Sequence, residues 1–90
     1  MVTQTQLDQV REYAALFFTL EEIALLTMID LEELRREVSF GCSELNNAYW
    51  LGKMQSQLTL RKNVKDWAEK GSPQAEEKML EWLRDQNESE

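Results

Sequence analysis

The sequence predicts an all-α protein of five helices joined by short loops. Three observations carry that expectation. Apolar residues recur at i, i+3, i+4 and i+7 through most of the chain, the period of a helix with one buried face. Only 3 Gly and 1 Pro stand among 90 residues, so few positions favour strand-ending turns. Twice in close succession a capping residue stands three positions ahead of a Glu, as Thr19 and Glu22 and as Asp30 and Glu33. A chain of this length is expected to form one domain that buries about 60–65% of its unfolded surface. Residues 1–40 are expected to form a head, and residues 44–86 a two-helix segment for self-association.

The first helix is expected over residues 5–18, capped by Thr3 or Thr5, with Leu7, Val10, Ala14, Phe17 and Phe18 as its apolar stripe. Tyr13 and Leu16 widen it. Thr19 and Glu22 then form a capping box that opens a second helix over 20–27, its buried side carried by Ile23, Ala24 and Leu26. Met28 and Ile29 make a short turn. Asp30 and Glu33 form a second box, and a third helix follows over 31–39 with Leu31, Leu34 and Val38 facing inward. Gly41 breaks that helix and Ser43 caps the next.

The fourth helix is long, over 44–70. Its apolar residues do not share one stripe, so different parts are expected to meet different neighbours. Gly52 inside it costs about 1 kcal/mol relative to Ala, which fits either a close helix approach or a kink. Gly71 suits a left-handed helix end, and Ser72-Pro73 restarts the chain as cap and first helical residue. The fifth helix is expected over 73–86, with Ala75, Met79, Leu80, Trp82 and Leu83 apolar and residues 87–90 frayed. Trp67 and Trp82 are expected in the core. Tyr49, Trp50 and Met54 are candidate interface residues, since Trp, Tyr and Met are enriched where proteins meet.

Charge narrows the functional classes. The formal net charge is -7, which opposes a general coat on nucleic acid. The charge is uneven, however. Residues 20–40 hold six carboxylates against Arg35 and Arg36, whereas residues 53–65 hold Lys53, Arg61, Lys62 and Lys65 and no acid. An anion-binding face is expected at those four cations or, more blandly, a solvated helix face. The chain has no His and a single Cys, Cys42, which excludes the usual Cys/His zinc site, a His-based triad and an internal disulfide. A lone Cys fits a reducing cytoplasm. No Gly-rich phosphate loop or GxSxG stands in the chain, and the adjacent pairs Glu21-Glu22, Glu32-Glu33 and Glu76-Glu77 favour helix dipoles. The expectation is therefore a protein that is not an enzyme and takes no cofactor or metal. No apolar run reaches the roughly 20 residues a membrane span needs, and the N-terminus does not read as a signal peptide.

The stretch TLEEIALLTMIDLEELRREV places two capped helices one turn apart, with Ala24 small enough for close crossing and Ile23, Ile29 and Leu34 as the wedge between them. It resembles the helix-turn-helix of prokaryotic and phage DNA-binding proteins. That family usually has Gly where Met28 stands, because the turn favours positive φ. The resemblance implies that the start of the third helix meets the major groove. Here that start is Asp30, Leu31, Glu32 and Glu33, which suits phosphate poorly, and Arg35 and Arg36 are the candidate contacts. The structural alternative is that both pair with Glu32 and neighbouring acids along the helix, since Glu32 and Arg36 are four apart.

From Ala48 onward, Tyr49, Gly52, Leu60, Arg61, Ala68, Gly71, Ala75, Met79, Trp82 and Leu83 follow in an order similar to small phage and prophage packaging proteins, the small subunit of terminase. The resemblance covers residues 19–84. It implies viral DNA recognition, homo-oligomeric assembly through helical segments and regulation of a larger packaging protein. Two other classes stand beside it: a protein-interaction module on a helix-turn-helix fold without DNA binding, and a transcription regulator.

Overall fold

The computed structural model describes residues 2–89. Within them the chain is all-α, as α1 (Gln4–Ala15), α2 (Leu20–Thr27), α3 (Leu31–Phe40), α4 (Glu44–Glu69) and α5 (Pro73–Ser89). It divides into two compact units, one ending at Gln57 and one beginning at Leu58. The boundary falls inside α4 and not at residues 40–44. The physical reason lies in the core: Leu45, Tyr49 and Gly52 of α4 are buried with the head, so the first half of the long helix completes it.

The first unit is built by caps and one apolar cluster. Thr3, not Thr5, caps α1: its hydroxyl accepts from the Gln6 N–H, and the Gln6 side chain accepts from the Thr3 N–H. α1 ends three residues earlier than its apolar pattern suggests. Phe17 turns left-handed at φ 64°, the Phe17 N–H donates to the Ala14 carbonyl and the Phe18 N–H to that of Tyr13. That pair of bonds is a Schellman end, formed here on Phe where Gly is usual. Phe17 is thereby exposed, while Phe18 stays half-buried, its ring edge-on to Tyr13 at 5.8 Å.

Thr19 opens α2 with both bonds of its capping box in place. Replacing Thr19 by Ala is expected to cost about 1 kcal/mol, read as an earlier midpoint in urea unfolding. The buried face of α2 is Ile23, Ala24 and Thr27; Leu26 lies outside it, half exposed, contrary to the sequence expectation. Thr27 enters the core because its hydroxyl donates to the Ile23 carbonyl at 2.7 Å, leaving no polar atom unpaired. The Thr27 carbonyl in turn accepts from the Gln6 amide of α1 at 3.0 Å, which ties the end of α2 to the start of α1. Met28 then reverses the chain at φ 62°. The backbone conformation expected at that turn is adopted without Gly, at a cost of about 1–2 kcal/mol for an L-residue.

α3 starts on a single cap bond, from the Glu33 N–H to the Asp30 carboxylate. α2 and α3 pack across the turn around Ile23, Ala24, Ile29 and Leu34, the wedge read from the sequence. At the far end of α3, α4 supplies the cap. The Asn46 amide donates to the Glu37 and Val38 carbonyls at 2.8 and 3.1 Å, and the Trp50 indole donates to Val38 at 3.2 Å. Gly52 marks a close approach and not a kink: a Cβ there would collide with the Arg11 carbonyl oxygen of α1.

The second unit contains the rest of α4 and α5. Its corner is a second Schellman end, with Gly71 at φ 94° and the Ser72 N–H donating to the Trp67 carbonyl at 3.1 Å. Ser72 caps α5 by accepting from the Ala75 N–H, and Pro73 takes the first helical position. α5 continues through residues 87–89, which were expected to fray; Glu90 lies outside the described residues. Ala75 is the buried residue that this unit records. Trp67 is 61% exposed and not in the core, and Trp82 is half-buried. Two helices packed along one side have too little depth to enclose an indole.

Candidate nucleic-acid interface

The candidate contacts fall into three groups, set by which element carries them. Arg35 and Arg36 stand on consecutive positions in the middle of α3 and therefore point about 100° apart. Arg35 is engaged within the head: its guanidinium donates to Glu21 of α2 at 3.0 Å and lies 3.6 Å from Glu32. The pairing of both arginines with Glu32 and neighbouring acids, the alternative read from the sequence, is what the side chains adopt, with Arg35 and not Arg36 on Glu32. Glu21 draws Arg35 to that side of α3, and Arg36 is left with Glu37 at 4.0 Å. Such exposed pairs contribute about 0–1 kcal/mol, so a phosphate would compete with them easily. With Glu32, Glu33 and Glu37 against Arg35 and Arg36, α3 itself carries no net positive charge to offer.

The start of α3 offers acid. Asp30 and Glu32 are exposed and Glu33 is half-buried. In a helix-turn-helix this is the end that enters the major groove, where carboxylates are repelled by flanking phosphates.

The basic run 53–65 is divided between the two units. Lys53 belongs to the first. Its ammonium lies 5.6 Å from the Tyr49 ring centroid and 5.3 Å from that of Trp50, whose rings meet edge-on at 5.2 Å. Cation–π attraction holds a lysine there without neutralising it. Of the three residues read as an interface, Trp50 and Met54 are exposed, whereas Tyr49 is buried in the core of the head. Tyr49 follows Leu45 by four residues and so shares its inward face.

Arg61, Lys62 and Lys65 belong to the second unit, and all three are exposed. The i, i+3 and i, i+4 spacing to Lys65 sets them on one face of α4 over little more than one turn. Arg61 stacks its guanidinium 4.5 Å from the Trp82 ring centroid, and Lys78 of α5 approaches the same ring at 5.6 Å. Planar guanidinium on an indole is a preferred stacking geometry, and it aims the Arg61 donors along the surface. Among the described residues neither Lys62 nor Lys65 takes part in an ion pair within 4 Å, although Asp66 and Glu69 follow on the same helix.

The sequence reading did not single out Gln6 or Asn46, whose amides hold α2 to α1 and α3 to α4. Their capping partners are distant in sequence, and no local pattern announces them. Among the described residues, no helix is long and apolar enough to cross a membrane. Compared with family models, curated proteins and solved structures, the chain finds no significant match.

Proposed function

We propose that this chain is a non-enzymatic, DNA-binding accessory protein of helix-turn-helix type, acting in the manner of the phage terminase small subunit it resembles. The observation that carries the reading is the face of Arg61, Lys62 and Lys65: three exposed cations within about one turn of α4, with no acid between residues 53 and 65. Such a face binds phosphate with little regard for sequence. The left-handed turn at Met28 and the Gly71-Ser72-Pro73 corner support the resemblance, because each adopts the backbone that its position in the pattern requires. Self-association belongs to the same reading. The second unit leaves Leu58, Trp67, Leu80 and Leu83 exposed, and assembly would both cover them and gather several basic faces, offsetting the charge of each protomer.

The test is fluorescence anisotropy of a labelled mixed-sequence duplex at about 50 mM and about 200 mM salt. Three neutralised phosphates predict roughly a 40-fold loss of affinity across that range. Reversing Arg61, Lys62 and Lys65 to Glu together is expected to abolish binding. Reversing Arg35 and Arg36 to Glu measures what α3 adds.

A second reading is favoured by the acidic start of α3 and by the engagement of Arg35 with Glu21 and Glu32. Under it the chain is a protein-interaction module that kept the fold without DNA binding. Absence of duplex binding at low salt would select it. A strictly dimeric protein with sequence-selective binding would instead point to a transcription regulator.

A further inference from the structure

Nothing in the DNA-binding reading uses the outer face of α2, and the chemistry there differs from that of the basic face. The buried side of α2 is Ile23, Ala24 and Thr27, so Leu25 and Leu26 are turned outward, with Leu25 81% exposed. Met28 follows Leu25 by three residues and is 88% exposed. Isolated exposed leucines are ordinary, but here two leucines on the last turn of α2 and the methionine that caps it are exposed within four positions.

Two independent features mark this patch. The first is the backbone. Phe17 and Met28 are the non-glycine residues recorded at positive φ among the described residues; they stand just before and just after α2, and both are exposed. Glycine would occupy either position freely. At Met28 the side chain gains almost no burial in return for the left-handed backbone, so its apolar surface finds no use within the chain. The turn between α2 and α3 requires the left-handed backbone but not a methionine, and the side chain placed there stays in solvent.

The second feature is charge. Between Arg11 and Arg35 the chain has no Lys or Arg, while Glu12, Glu21, Glu22, Asp30, Glu32 and Glu33 all lie in that interval. Glu21 and Glu22 precede Leu25 and Leu26 by one helical turn each, and so flank the apolar pair on the same exposed face. Arg35 reaches back to Glu21 and offsets one of these charges, while Glu22 accepts from the Thr19 N–H and keeps its charge. An apolar strip with an acidic rim repels nucleic acid and anionic membranes alike. It is complementary to a helix carrying leucine-like anchors at i, i+3 and i+4 with Lys or Arg beside them.

We propose that Leu25, Leu26 and Met28, with their flanking carboxylates, form a docking surface for a basic amphipathic helix of another protein. The surface uses none of the cations of α4, so this inference and the DNA-binding reading stand or fall independently.

The experiment titrates the full chain into two fluorescein-labelled helical peptides of about 18 residues, one of Leu and Lys and one of Leu and Glu in the same spacing. The Leu/Lys peptide is expected to bind, and to weaken as salt rises from about 50 to about 200 mM; the Leu/Glu peptide is expected not to bind. The double variant Leu25→Ser, Met28→Ser is expected to lose at least about tenfold in affinity with an unchanged far-UV spectrum, because both side chains are solvent-exposed. A control variant, Phe40→Ser at the exposed end of α3, is expected to bind as the native chain does. Met28→Gly gives a readout that a merely structural Met28 would not produce: Tm is expected to rise by about 5 °C as left-handed strain is relieved, while peptide affinity falls. Equal binding by the native chain and the Leu25/Met28 double variant would overturn the proposal, as would equal binding of the two peptides. Self-association of the native chain that disappears in that double variant would also overturn it, assigning the surface to a second copy. Duplex binding serves as the separate control, since the double variant leaves Arg61, Lys62 and Lys65 intact.

Discussion

Replacing Gly52 by alanine is expected to destabilise the head by about 2 kcal/mol, against the sign that helix propensity assigns to the same change. In an exposed helix interior, Gly→Ala stabilises by about 1 kcal/mol. Here the added methyl would occupy the space of the Arg11 carbonyl oxygen, with the Arg11 carbonyl carbon only 2.9 Å away. Backbone cannot rotate aside as a side chain can, so α1 and the first half of α4 must separate. Their shared core, with Leu7 and Val10 on one side and Leu45 and Tyr49 on the other, opens with them. Overpacking of this kind costs about 1–3 kcal/mol, and the propensity gain of about 1 kcal/mol offsets only part of it. Urea unfolding followed by far-UV circular dichroism measures it. A small domain moves by roughly 4–8 °C per kcal/mol, so the melting temperature should fall by roughly 8–16 °C. A rise in stability would mean that α1 does not lie against Gly52.

Truncating Leu34 to alanine is expected to cost a similar or larger amount, about 2–5 kcal/mol. Leu34 is 0% exposed and sits where α2 and α3 wedge together with Ile23, which is buried to the same degree. The cavity opens at the centre of a head of fewer than 60 residues, whose total stability is only several kcal/mol. Much of that stability is therefore lost, and at 37 °C a large fraction of the head should unfold. Phe40→Ala on the same helix is the internal comparison. Phe40 is 88% exposed, and its removal should change the unfolding midpoint by no more than about 0.5 kcal/mol equivalent. Equal effects at the two sites would show that burial in the head does not follow the α2–α3 wedge.

Much of the fold was legible because the signals were local. Thr19 with Glu22, Asp30, Ser43, and Ser72 with Pro73 lie within three or four residues of the groups they cap, and each starts a helix where its spacing predicted. Gly71 adopts the left-handed backbone expected of a helix end. The candidate site was legible in part. Lys62 and Lys65 were recognised by charge alone, and exposure leaves them available. Arg35 was found, but its partner Glu21 is fourteen residues away on another helix, beyond any local rule.

The misplacements share one cause. Tyr49 was read as an interface residue and Trp67 as core, because aromatics were assigned by chemical type and by the shortage of other large side chains. Which of the two is enclosed depends on the number of layers around it. Tyr49 faces a head in which three other helices surround α4, and Trp67 lies in a pair of helices with no third layer. Phe17 left its predicted helix because a Schellman end formed early, and Leu26 gave way to Thr27 because a hydroxyl can donate to its own helix and be buried.

The sequence by itself determined the helices, their starts, their breaks and the uneven charge, since each depends on residues within a turn or two of one another. Tertiary structure alone decided that Gly52 is a contact with Arg11, that Gln6 and Asn46 hold helix ends across the head, and that α4 is shared between two units. Those outcomes depend on helices that are distant in sequence meeting at particular atoms, and a short-range pattern carries no information about such meetings.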